Sequence, residues 1–93
     1  VSEYFRVETE RTENPDVLEI ITSETLTQGE EEVYENPQAG NVGSTLAQTL
    51  FHGVDGIKAL TIADDTLIVT RQPGVVWEIL VDEVRDVLRD FFL

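Results

Sequence analysis

The last third of the chain carries the pattern that most limits how it can fold. Trp77, Leu80, Val81, Val84, Val87, Leu88 and Phe91 recur at three- and four-residue spacing, which lines apolar side chains along one stripe of an α-helix. The spacing predicts a helix of about four turns. Such a stripe needs an apolar surface to lie on, because packing rather than propensity holds most helices of this length. Pro73 and Gly74 precede the run and separate it from the segment before.

The surface it needs is predicted to be a sheet. From Tyr4 to Glu10 the chain alternates, with Phe5, Val7 and Thr9 on one side and Arg6, Glu8 and Glu10 on the other, which reads as a half-buried strand. Val17 to Thr22 reads as its partner, with Leu18, Ile20 and Thr22 on one face. The connection holds Asn14-Pro15-Asp16, where Pro15 pre-sets a turn and the flanking side chains bond nearby backbone. Ile57 to Ile62 and Leu67 to Thr70 form a second, more buried hairpin about Asp64-Asp65. By strand parity Leu60 and Ile62 face one way and Ile57 and Ala59 the other, with Leu67 and Val69 opposed to Ile68.

Between the hairpins, Ser44 is a plausible N-cap, and Leu46, Ala47, Leu50 and Phe51 fall on one face of a short helix ended by Gly53 or Gly56. Residues 23–43 contain Gly29, Pro37, Gly40 and Gly43 and read mainly as loop. Within them Val33 and Tyr34 form either a short edge strand or a pin that holds the loop to the core. The expected fold is α+β, a two-layer sandwich in the order ββαββα, with two helices on one face of an antiparallel sheet made from two hairpins.

Length and composition bound the function. Ninety-three residues with 41% apolar content argue for one domain over residues 1–93, which buries roughly 60–65% of its unfolded surface. That supplies one modest core and little room for a deep active site. There is no cysteine, which removes disulfides, thiolate metal ligands and cysteine nucleophiles. The net charge is −13, from 19 acids and 6 bases. Nucleic-acid binding is disfavoured, because it needs a basic patch that releases counterions, and anionic membranes are disfavoured for the same reason. Basic protein surfaces or cations are attracted instead. No basic-then-apolar leader opens the chain, so cytoplasm is the expected compartment.

In order and spacing, the stretches Thr12 to Ile20, Ser44 to Phe51, Gly56 to Lys58 and Asp65 to Arg71, followed by Trp77, resemble the N-terminal domain of the Nfu/NifU-like iron–sulfur cluster scaffold and carrier family. Thr12, Asn14, Pro15 and Leu18 match its opening signature, in which Glu13 replaces a proline and Glu19 a basic residue. Ser44-Thr45-Leu46-Ala47 with Leu50-Phe51 is similar to its Ser-Pro-Leu-Ala helix start, with Thr45 in place of the proline. Gly56-Ile57-Lys58 resembles its Gly-Val-Lys strand opening, after a linker one residue longer than usual. Asp65 to Arg71 resembles the strand that follows, and Trp77 falls where the family places a tryptophan. The resemblance spans about residues 5 to 92. It implies a non-catalytic accessory module that positions a cluster carrier against client proteins. In that family the cluster is held by a Cys-x-x-Cys motif in a separate C-terminal domain, so no cofactor ligand carries over to this chain.

Candidate site residues lie in two places. Glu78, Asp82, Asp86 and Asp90 follow one another at i, i+4 on the last helix, a like-charge spacing that costs ~0.2–0.5 kcal/mol per pair. Asp82–Arg85 and Asp86–Arg89 pairs at i+3 relieve part of it. The ridge is either surplus acid on a solvated face or a surface kept for a basic partner. Asn14 and Pro15 are either a structural turn or a partner-contacting loop. Trp77 is a core anchor or an exposed hot spot. The far sheet face is a second candidate surface unless residues 23–43 cover it. His52 is the only histidine and supplies one ligand at most. Enzymatic readings lack support: no serine or histidine motif is present, and Gly40 to Ser44 lacks the lysine of a phosphate loop. The alternatives to a partner-docking module are a structural or oligomerising domain of a larger, for example helical-repeat, protein, and a weak cation site at Glu30 to Glu32 or on the ridge.

Overall fold

The computed structural model describes residues 6–27 and 29–92. The chain runs β1 (Val7–Arg11), β2 (Val17–Thr22), β3 (Glu32–Tyr34), α1 (Pro37–Asn41), α2 (Thr45–Gly53), β4 (Ile57–Ala63), β5 (Thr66–Arg71) and α3 (Trp77–Phe92). The five strands form one antiparallel sheet in the order β1-β2-β5-β4-β3. The two expected hairpins, β1-β2 and β4-β5, therefore lie side by side, joined through β2 and β5. The architecture is α+β, and its main order is the expected ββαββα with β3 and α1 added in the middle. Tyr4 and Phe5, the start of the first predicted strand, lie outside the described residues.

Burial follows the predicted faces. Along β2 the residues alternate between half-buried and buried, so that Leu18, Ile20 and Thr22 face the core. Leu60 and Ile62 of β4 and Leu67 and Val69 of β5 meet them from the neighbouring strands. The helices close this face with Leu46, Ala47 and Leu50 from α2 and Leu80, Val84 and Leu88 from α3. Each fully buried aliphatic side chain contributes about 1.5–3 kcal/mol. The three on α3 thus outweigh the repulsion along its acidic ridge. Phe91, expected on the stripe, is instead 39% exposed. Its neighbour Phe92 packs against the core in its place.

Two expectations are corrected. Parity placed Ile57 with Ala59 on the far face, yet Ile57 is only 3% exposed and belongs to the core. The cause is a bulge: Ile57 pairs with Arg71 and Ala59 with Thr70, which leaves Lys58 as the extra residue. One inserted residue exchanges the faces of everything before it.

The second correction is α1, a helix inside residues 23–43 where loop was expected, whereas the short edge strand expected at Val33 and Tyr34 is present as β3. Asn36 caps α1 by accepting the Ala39 N–H at 2.8 Å, and Pro37 takes the first helical turn, a position that tolerates a missing N–H. Gly40 is there for packing: a Cβ on it would overlap the Phe51 ring. Tyr34 meets Phe51 edge to face at 6.4 Å, and its hydroxyl accepts the Ser44 N–H at 3.1 Å. This group ties β3, α1 and the start of α2 together on the helix side. The far face therefore stays part-exposed, with Ile21, Ala59 and Ile68 at its centre.

The helix layer stops short of β1. Thr9 lies opposite Ile20 and Arg11 opposite Leu18, so both are on the covered side of the sheet, since facing residues share a face. Both are nevertheless exposed.

Candidate functional site

The strip left open beside β1 is the floor of a groove. It has a volume of about 690 Å³ and runs between the β1-β2 connection and the first turns of α3. Its floor is Thr9, Arg11 and Leu18, and its far wall is Trp77, Glu78, Val81 and Asp82.

The connection that closes one end is rigid for local reasons. The Thr12 hydroxyl lies 2.9 Å from both the Asn14 and the Val17 carbonyl oxygens. Asn14 Oδ1 accepts the Asp16 N–H at 2.9 Å, and the Asn14 carbonyl accepts the Val17 N–H at 3.0 Å. Asn and Pro are chosen here by turn chemistry. The turn is then fixed to the rest of the molecule from two sides. Trp77 Nε1 donates to the Pro15 carbonyl at 2.9 Å. Arg71 Nε pairs with Asp16 at 3.1 Å, while its Nη1 donates to the Val75 carbonyl at 3.0 Å. The Arg71 guanidinium also stacks 5.0 Å from the Trp77 ring, an attractive cation–π arrangement. Trp77 is thus half-buried, with one part of the indole against the core and its N–H holding the loop.

Of the six residues singled out from the sequence, four meet at this groove: Asn14, Pro15, Glu78 and Asp82. Asp86 and Asp90 do not. They continue along α3, where Arg89 approaches Asp86 at 3.1 Å and Asp90 at 4.0 Å. Asp82 is engaged by Arg85 at 2.7 Å. Among the described residues, Glu78 is the ridge carboxylate without an ion pair. Sequence reading missed Arg11, Arg71 and Val81. Val81 was visible as a stripe residue, but nothing local shows that the stripe's edge here meets no strand. Arg71 is brought to Asp16 by the β2-β5 register, across 55 residues of chain, and no local pattern signals it.

The groove wall holds an indole and guanidinium groups, residue types enriched at binding hot spots, beside carboxylates and aliphatic side chains. His52 lies apart, exposed at the end of α2. Among the described residues no group of three or more His, Cys, Asp or Glu side chains is placed to hold a metal ion. No helix among them is long and apolar enough to cross a membrane.

A half-covered sheet with a recess at its edge defines an α+β domain built around a surface groove. The chain belongs to the family of Nfu/NifU scaffold proteins, as their N-terminal domain, whose family model matches residues 7–93. It is 28% identical over 86 residues to the mitochondrial NFU1 iron–sulfur cluster scaffold homologs of Drosophila erecta and Drosophila yakuba, a match covering 92% of this chain. That match spans only 30% of each relative's length. The solution structure of a NifU-like protein from Saccharomyces cerevisiae superposes with a TM-score of 0.77 at 26% identity, covering 96% of this chain and 79% of that one. The crystal structure of protein SAV1430 from Staphylococcus aureus shares the fold, with a TM-score of 0.68 at 18% identity, covering 89% of this chain and 98% of that one. A structural or oligomerising domain unrelated to iron chemistry finds no support among these relatives.

Proposed function

We propose that this domain is a non-catalytic docking module of an iron–sulfur cluster carrier. It holds a protein partner with a basic surface while a separate cysteine-bearing domain holds the cluster. The observation that carries this reading is the convergence of Asn14-Pro15 and the Glu78–Asp82 start of α3 on one groove, from opposite ends of a chain without cysteine. Cluster transfer between proteins requires them to be held in contact, and a domain that supplies no ligand contributes by orienting the pair. The charge of −13 favours a basic protein partner over nucleic acid or anionic lipid and speeds its approach. The reading puts the domain in the cytoplasm, with a mitochondrion as the alternative because both Drosophila relatives are mitochondrial.

The test compares two charge reversals in the full-length carrier, against purified iron–sulfur carrier and client proteins. Glu78→Lys with Asp82→Lys, inside the groove, is expected to weaken binding at least tenfold, or about 1.4 kcal/mol. Asp86→Lys with Asp90→Lys, outside it, is expected to change binding little. Equal effects of the two pairs in calorimetry would show that bulk charge, and not the groove, does the holding.

A further inference from the structure

We propose, building on the docking reading above, that β1 is a strand-addition site. An extended partner segment that alternates apolar and basic side chains pairs with its outer edge. The apolar side chains turn toward the groove and the basic ones toward Glu8, Glu10 and Glu19.

The backbone supplies the first part of the argument. The Ser23 N–H donates to the Arg6 carbonyl at 3.1 Å, and β1-β2 register continues from there with Glu8 opposite Ile21 and Glu10 opposite Glu19. In an antiparallel ladder, hydrogen-bonded and non-hydrogen-bonded pairs alternate. Glu8 and Glu10 are therefore bonded to β2, and the N–H and C=O groups of Val7, Thr9 and Arg11 point outward. The same alternation explains the Thr22 N–H bond to the Asp65 carbonyl on the other side of β2, at 2.8 Å. β1 is an end strand of the sheet and contains neither proline nor a bulge. Of the devices that blunt an edge it has charge, in Glu8, Glu10 and Arg11, and the two glutamates repel an acidic strand but attract a basic one.

The two faces of β1 then select the occupant. On the helix side, Thr9 and Arg11 begin a floor that a further strand would continue. Its side chains there would enter the groove beside Val81 and Trp77, so this side takes apolar groups. On the opposite side Glu8, Glu10 and Glu19 stand together, with Glu10 directly opposite Glu19. Directly opposed like charges on a sheet are destabilising. Among the described residues none of the three is in an ion pair. Lysine or arginine at alternate positions of an added strand would relieve them. A second copy of this chain would not, because β1 against β1 brings glutamates to glutamates.

The probe is a synthetic nine-residue peptide alternating lysine with valine, closed by proline at each end to stop its own sheet growth, titrated into the full chain and followed by amide shifts and hydrogen exchange. Protection of the Val7, Thr9 and Arg11 amides is expected. Loss of about tenfold in affinity is expected when alternate peptide amides are N-methylated, a change that leaves the protein untouched. Thr9→Pro should give a similar loss, and a glutamate-for-lysine peptide should not bind. Binding that is indifferent to N-methylation and to Thr9→Pro, or shifts confined to α3, would overturn strand addition. If the peptide fails while groove charge reversals still weaken partner binding, strand addition falls and the docking reading stands. If neither responds, both fall.

Discussion

Trp77 shows how one side chain serves two layers. The helical period in the sequence assigns it to the stripe of α3, and its ring does pack against the core. Its indole N–H instead reaches across to the Pro15 carbonyl, sixty-two residues away in the chain, which no local pattern contains. Trp77→Phe keeps an aromatic ring and removes this bond together with part of the Arg71 stacking. The expected cost is about 1–2 kcal/mol in urea denaturation, with amide shifts concentrated at Thr12 to Asp16. Shifts limited to α3 would mean the indole does not hold the turn.

The elements differ in how well they announce themselves. α3 and β2 have long or clean periods, and their buried residues are the ones the period names. α1 was missed because Pro37 and Gly40 read as breakers, although Asn36-Pro37 is a cap followed by a first-turn proline. Five residues cannot form a stable helix unaided; α1 exists because Phe51 and Tyr34 hold it. Gly40→Ala is accordingly expected to destabilise the fold by about 1–3 kcal/mol through overpacking against Phe51. This is opposite in sign to the usual gain from alanine in a helix. A thermal melt decides it: an unchanged or higher midpoint would show that the Phe51 ring moves aside freely.

At the scale of the whole molecule, the acid is spread over the open sheet face, the ridge of α3 and the turns, with few ion pairs among the described residues to offset it. Self-repulsion should therefore be a measurable cost. Raising sodium chloride from about 10 to 150 mM shortens the screening length from roughly 30 to 8 Å, and the urea midpoint is expected to rise. A midpoint that falls with salt would mean that exposed pairs such as Arg85–Asp82 outweigh the excess charge of −13. The same excess makes association with a basic partner salt-sensitive, chiefly in its on-rate.

Periodicity along the chain was enough to settle the two hairpins, the two longer helices and most of the face each buries, because side-chain direction repeats every two residues in a strand and every 3.6 in a helix. The missing sulfur likewise settled that no thiolate ligand comes from this chain. Only the folded arrangement decided that Ile57 turns inward past Lys58, that β1 outruns the helices, and that Asn14 and Pro15 share a groove with Glu78 and Asp82 but not with Asp86 and Asp90. These depend on sheet register and on where a helix comes to rest. Distances between remote segments are set by the packing of many side chains at once, and a local period contains no record of them.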